Sequence, residues 1–311
     1  MPKIVKVSAP ATIANLGPGF DVFGLALAEP VDAVEARKSK KQGIVVVGIS
    51  GVGAKGISKE PEKNTAAIAA AEAMKLINRS EGVELKIEKG IKPGGGIGSS
   101  GASAAAGAAS VNELFDAGLS SEQLIEAAAR AEEKIAGSVH YDNVTPAVAG
   151  GFTIVTSTAP LEFFKLDPPP MKIVVAQPAV ELPTALGREL LPREVPLRDA
   201  VANVGRASTM VATLKAGDLR TFGKCMVDSI AEPVRMPLVP GFLDVKRAAL
   251  EAGAAGAAMA GSGPSVFAIL EPEGDGKGVA SAMTKAFERA GLKCEIIITP
   301  PGKGVQVLER G

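Results

Sequence analysis

Residues 93–109 read Pro-Gly-Gly-Gly-Ile-Gly-Ser-Ser-Gly-Ala-Ser-Ala-Ala-Ala-Gly-Ala-Ala, a glycine loop that runs through two serines into an alanine-rich stretch with the composition of a helix. Just upstream, Val83, Leu85 and Ile87 alternate with Glu84, Lys86 and Glu88, the period of a half-buried strand. A loop tied between a strand and a helix is a tethered turn, not a flexible linker. Gly94, Gly95, Gly96 and Gly98 let the backbone approach a ligand closely, and the new helix offers unpaired N–H groups at its positive end. This is phosphate-binding chemistry.

Two common phosphate loops do not fit. A Walker loop needs Gly-Lys-Ser/Thr after its glycines, and here Gly98 is followed by Ser99 and Ser100. A dinucleotide fingerprint is matched literally by Gly96, Gly98 and Gly101, with Asp116 about 20 residues on. Asp116, however, falls in Glu-Leu-Phe-Asp-Ala-Gly-Leu, which reads as a helix end, and the strand before the loop alternates where that fold wants an apolar run.

Elsewhere, strands are expected at 4–7, 44–49 and 152–156 and helices at 64–78, 103–115 and 121–136. The run Asp167-Pro-Pro-Pro170 cannot continue a helix or a central strand, and an apolar strand over 171–176 follows directly, so a domain boundary is placed there: 1–168 and 169–311. The second half alternates helices at 197–215, 217–229 and 243–252 with strands at 255–259, 265–270 and 294–299, which predicts a two-domain α+β protein. Ser120-Ser-Glu-Gln123 is a capping box, and Leu124, Ala128, Ala131 and Ile135 form the buried stripe of its helix. At 3.6 residues per turn Glu132 lies inside that apolar sector and Glu133 points away. A carboxylate held off water needs a partner, either a salt bridge or a cation.

Any cation must be oxygen-bound. The 311 residues contain two cysteines and one histidine, too few for a thiolate or histidine-rich site, which favours Mg²⁺. Lys plus Arg and Asp plus Glu both number 34, so no strong field invites nucleic acid or an anionic membrane, and a small neutral or zwitterionic substrate is compatible. The start, Met-Pro-Lys-Ile-Val-Lys-Val, lacks a signal-peptide core and no apolar run reaches the ~20 residues of a membrane span, so a cytoplasmic protein is expected.

Three motifs together resemble the small-molecule kinases of the GHMP family (galactokinase, homoserine kinase, mevalonate kinase, phosphomevalonate kinase). Pro93 to Gly101 is similar to the family's second motif apart from one residue of spacing at its start; the first is matched by Ser8-Ala-Pro-Ala-Thr-Ile-Ala-Asn-Leu-Gly-Pro-Gly-Phe-Asp21 and the third by Gly261-Ser-Gly-Pro-Ser265. The resemblance implies an N-terminal domain like domain 2 of ribosomal protein S5, a ferredoxin-like C-terminal domain, ATP and Mg²⁺ as cofactors, and a homodimer. Asn64, Lys89 and the loop residues Pro93, Gly94, Gly95, Gly96, Ile97, Gly98, Ser99, Ser100, Gly101, Ala102 and Ser103 match ATP-contacting positions, and Ser100 and Glu132 match the metal-holding pair.

Within the family, Ala-Asn-Leu-Gly-Pro-Gly-Phe-Asp, the Asn-Glu-Leu-Phe of 112–115, His140-Tyr-Asp-Asn143 and Glu232-Pro-Val-Arg235 are most similar to the signatures of the homoserine kinases. This implies that Asn15, Asp21, His140, Thr184, Arg188 and Arg235 surround the substrate, with the arginines on its carboxylate. Unaided, His140 reads as a loop histidine and both arginines as surface charges. Asp21 reads either as a turn former or, given Phe20, Val22 and Phe23 beside it, as a carboxylate in an apolar setting that takes or polarises a hydroxyl proton. Ala11 and Thr12 stand where mevalonate and galactose kinases tend to carry a basic residue, and Gly101 stands in place of the more frequent alanine. The alternatives left are a kinase of another alcohol, such as shikimate or a mevalonate derivative, and a nucleotide-binding sensor without turnover.

Overall fold

The computed structural model describes residues 2–180, 182 and 184–311. The alternation expected over 4–7 continues as β1 (Ile4–Ala14), through the first half of the first motif, because Ala9, Ala11 and Ile13 remain buried to its end. Its partner β2 (Phe23–Ser39) was not expected from the sequence. Pro30 breaks its pattern and alanine has little strand preference, so its pairing with neighbouring strands, β1 first among them, makes it a strand. After β3 (Ile44–Gly51) come α1 (Thr65–Leu76), β4 (Gly82–Lys89), α2 (Ser99–Phe115), α3 (Ser121–Ala136), α4 (Tyr141–Ala149), β5 (Phe152–Thr158) and β6 (Leu161–Leu166).

The alanine runs serve packing as well as propensity. A Cβ on Gly107 would sit 2.2 Å from the Ala66 carbonyl oxygen, so α1 and α2 approach backbone to backbone. Asp116 is the left-handed C-cap of α2, the helix end read from the sequence. In α3 the capping box forms and Glu132 is buried, but Ile135, expected on the buried stripe, is 46% exposed: the helix extends past its neighbours and leaves the last turn facing a cleft.

The second half holds β7 (Lys172–Pro178), α5 (Thr184–Glu189), α6 (Leu197–Ala216), α7 (Leu219–Lys224), α8 (Glu232–Arg235), α9 (Phe242–Glu251), β8 (Gly256–Met259), β9 (Val266–Leu270), α10 (Gly276–Arg289), β10 (Cys294–Thr299) and β11 (Gln306–Arg310). The single helix expected over 217–229 is only α7; beyond it Asp228 turns the chain by accepting N–H bonds from Ile230, Ala231 and Glu232 at 2.7–2.9 Å. The four-stranded antiparallel sheet runs β10-β7-β9-β8, fourth-first-third-second in its own chain order, the ferredoxin-like arrangement. Both faces of β7 are covered, Ile173 and Val175 by the core shared with the first half and Val174 and Ala176 by α9 and α10. The larger sheet runs β11-β1-β2-β4-β3, with β5 on β2 and β6 on β5. A cut at 168/169 therefore separates the two sheets except for β11, which returns to pair with β1.

Candidate active site

One cleft of about 400 Å³ lies where the glycine loop, the 15–21 turn, the end of α3 and the start of α4 meet residues of the second half. The loop is shaped by left-handed glycines at 94, 96 and 98 (φ 74°, 77° and 68°). A Cβ on Gly96 would lie 2.4 Å from the Gly263 carbonyl oxygen, and Ser265 Oγ donates to the Gly95 carbonyl. The third motif thus grips the second from the opposite sheet.

α2 starts at Ser99, earlier than expected, and its first intrahelical bond is Ala102 N–H to the Gly98 carbonyl at 2.9 Å. The N–H groups of residues 99–101 precede that bond and carry the positive end of the helix into the loop. Pro93, Gly94, Gly95, Gly96, Gly98, Ser99, Ser100 and Ser103 line the cleft. Ile97, Gly101 and Ala102 do not; they face the core, because a helix entering the protein interior must bury one side of its first turn.

Ser100 Oγ donates to Glu132, and Glu132 Oε2 lies 3.5 Å from His140 Nδ1. Burial works against a charge on His140, but the hydrogen bond and negative charge of Glu132 outweigh it and raise the imidazole pKa above its ordinary value. His140 caps α4, where a loop was expected, and Tyr141-Asp-Asn opens that helix. Asp142 is buried there, and burial first, then the charge of Asp21, push its carboxyl up to about 7. Thr12 Oγ1 donates to Asn143 Oδ1 at 2.9 Å, fixing the neighbouring amide in the cleft. Asp142 and Asn143 both line the cleft, although the signature at 140–143 by itself gives neither a place in it.

Asp21 is not in the apolar setting expected. With φ 55° it turns outward while Phe23 turns into the core, and its two carboxylate oxygens each lie 3.1 Å from Arg188 Nη2. Asn15 holds this turn: its Oδ1 accepts the Asp21 N–H at 3.0 Å and its Nδ2 donates to the Gly261 carbonyl at 2.9 Å. Arg235 is buried, donating to the carbonyls of Gly187 (3.0 Å) and Gly261 (3.3 Å), with its guanidinium 5.2 Å from the centre of the Phe20 ring. Burial lowers its pKa against the pull of Asp21, and Arg235 is no surface charge. Thr184 opens α5, but its side chain lies outside the described residues.

Asn64 and Lys89 also line the cleft, and both are engaged by the protein itself. Asn64 caps α1, accepting the Ala67 N–H at 3.1 Å and donating to the Ser58 carbonyl at 2.8 Å. The Lys89 ammonium is held by Asp32, Ser103 and the Ser99 carbonyl. Asp32 stands in Pro-Val-Asp-Ala, with no motif beside it in the sequence to mark it.

Ser100 and Glu132 form a pair of hard oxygen donors beside a helix N-terminus, and among the described residues no group of three or more His, Cys, Asp or Glu could hold a metal alone. That donor set suits Mg²⁺, which keeps few protein ligands and takes the rest from phosphates and water.

Comparison with known proteins gives a consistent picture. Residues 64–151 match the family model for the GHMP kinases N terminal domain, and residues 210–289 match that for the GHMP kinases C terminal domain. The chain is 44% identical to the homoserine kinase of Pyrococcus furiosus over 303 residues, covering 97% of this chain and 99% of that one. It is 42% identical to the homoserine kinase of Pyrococcus horikoshii over the same shares. The crystal structure of homoserine kinase from Cytophaga hutchinsonii superposes with a TM-score of 0.93 at 37% identity, covering 99% of this chain and 98% of that one.

Proposed function

The chain belongs to the homoserine kinases of the GHMP kinase family, and we propose that its cleft transfers the γ-phosphoryl group of ATP to the side-chain hydroxyl of L-homoserine, giving O-phospho-L-homoserine on the way to threonine. The observation that carries this reading is the meeting, in one cleft, of a glycine loop with an oxygen donor pair and an unlike-charge pair, Asp21 and Arg188.

The loop N–H groups and the start of α2 receive the phosphates. Ser100 and Glu132 would hold Mg²⁺, whose charge would offset that developing on the phosphoryl oxygens. Glu132 suits that task because it is buried with Ser100 and His140 as its hydrogen-bonding and ion-pair partners, with the positive charge of Lys89 felt at longer range.

The Asp21–Arg188 pair has the charge pattern of a zwitterion in reverse. A bound amino acid places its ammonium on Asp21 and its carboxylate on Arg188, with Arg235 behind, and so trades one ion pair for two. Neither a sugar nor mevalonate offers both charges. Asn15 and His140 wall this end, and Thr184 joins them by resemblance. Asp21, once it holds the substrate's ammonium, orients the substrate; phosphoryl transfer asks chiefly for positioning and charge stabilisation. A homodimer acting in the cytoplasm is proposed on the resemblance, and sedimentation of the purified protein tests the dimer.

An ADP-release assay comparing L-homoserine with shikimate, mevalonate and galactose tests the substrate: turnover is expected with homoserine alone, and faster turnover of another alcohol overturns the assignment. Glu132→Ala is expected to abolish turnover with the fold intact, and near-normal activity in that variant removes the metal assignment.

A further inference from the structure

The glycine loop is closed at its base by a carboxylate that belongs to neither of the elements the loop connects. Asp32 lies on β2, fully buried. Its Oδ1 accepts the N–H groups of Gly90 and Ile91, both at 3.0 Å, where the loop begins. Its Oδ2 accepts from Ser103 Oγ at 2.6 Å, one turn into α2 where the loop has ended, and from the Lys89 ammonium.

Lys89 completes the tie by donating to Ser103 Oγ at 2.6 Å and to the Ser99 carbonyl at 3.1 Å, while Ser99 Oγ donates to the Ile91 carbonyl at 3.0 Å. An ammonium has three protons, and all three are taken by protein oxygens. Lys89 therefore has none left for a phosphate oxygen, although the resemblance counts it among the ATP contacts. Its influence on ATP runs through the loop.

A loop with four glycines among its five residues from 94 to 98 has a large conformational entropy to lose, and a site that is ordered beforehand binds more tightly than one ordered by its ligand. A buried ion pair contributes little net stability, but when all its polar groups are satisfied it can fix one geometry against others. We propose that Asp32, acting through Lys89 and Ser103, is a positioning residue that pre-forms the phosphate cradle, so that its loss weakens ATP binding while homoserine binding stays as it was. This rests on the reading of the loop as the ATP cradle.

The test is steady-state kinetics and thermal melting of Asp32→Asn, Lys89→Met and the double variant, with Ser100→Ala as the reference. Each single change is expected to raise the KM for ATP about tenfold and leave that for homoserine within about twofold, the size of losing a charge-assisted bond in one subsite. The double variant is expected to be no worse than either single one, since both remove the same tie. Should Asp32→Asn fail to fold, the double variant removes both charges together and carries the same comparison, and Ser103→Ala is expected to raise the KM for ATP about threefold. An unchanged KM for ATP in a folded Asp32→Asn overturns the proposal. So does a Lys89→Met loss that adds in full to that of Asp32→Asn, because it would mean a direct bond to phosphate. If Ser100→Ala also leaves the KM for ATP unchanged, the reading of the loop has failed, not the role of Asp32 alone.

Discussion

Asp142→Asn isolates the electrostatic cost of the cleft. The Asp142 carboxyl is pushed from 3.8 up to about 7, by burial first and then by Asp21, against the pull of His140 and Arg188. In the unfolded chain it ionises near 3.8, so between these two values the folded protein holds a proton that unfolding releases. The stability this protonated carboxyl contributes is complete below 3.8 and is lost as pH rises through about 7. At ~1.4 kcal/mol per pH unit the full span would come to ~4 kcal/mol. His140, whose own pKa is raised, titrates beside it and takes part of that span, so about 2 kcal/mol is expected for Asp142. Asparagine stays neutral at every pH and keeps the oxygen that accepts the Asn143 amide at 3.3 Å. Urea denaturation of the two proteins should therefore give equal stabilities near pH 4 and a variant more stable by about 2 kcal/mol at pH 8. His140 slopes in the same direction, its contribution present below 6.5 and lost as pH rises, and because the Asp142 charge helps raise it, the difference between the two proteins reports the coupled pair. Parallel pH profiles, or a variant less stable at pH 8, would refute the reasoning.

Gly98→Ala should damage loop and fold together. Its Cβ would lie 2.0 Å from Thr12 Oγ1 and 2.9 Å from Asn143 Oδ1, at a φ of 68°. Left-handed strain of ~1–2 kcal/mol plus about 1 kcal/mol for the Thr12–Asn143 bond predicts a loss near 3 kcal/mol in urea denaturation, with a raised KM for ATP; a loss under about 1 kcal/mol would contradict this. Asp21→Asn separates binding from stability. The Asp21–Arg188 side chains are 42% and 38% exposed, so unfolding should change by less than ~1 kcal/mol, while the KM for homoserine rises about tenfold or more. A fall in kcat of ~10²-fold or more would instead identify Asp21 as an obligatory base.

What could be read from the sequence was what repeats locally. Glu132 was placed on the buried side of its helix because helical spacing relates it to Ala128 and Ile125 within two turns, and the structure buries it. The glycine loop was legible because its strand and helix adjoin it. β2 was not, since Glu29-Pro-Val-Asp-Ala has no strand period of its own and becomes one through β1 and β4. β11 likewise depends on β1, some 300 residues earlier in the chain.

The same limit governs the site's carboxylates. Asp21 stands among apolar residues in sequence, which suggested an apolar setting, yet its environment is set by Arg188, 167 positions away, and by a left-handed backbone that turns it outward. Asp32 is 57 positions from Lys89, and nothing near it marks a functional residue. A motif records residues on one stretch of chain, so it captures a loop that surrounds its ligand with its own backbone. It does not capture the group on a neighbouring strand that holds the loop in shape. In a fold where phosphate is held mainly by backbone N–H groups, that second kind of residue has as much influence on affinity as the first, because a backbone donor is useful only where the loop has already been placed.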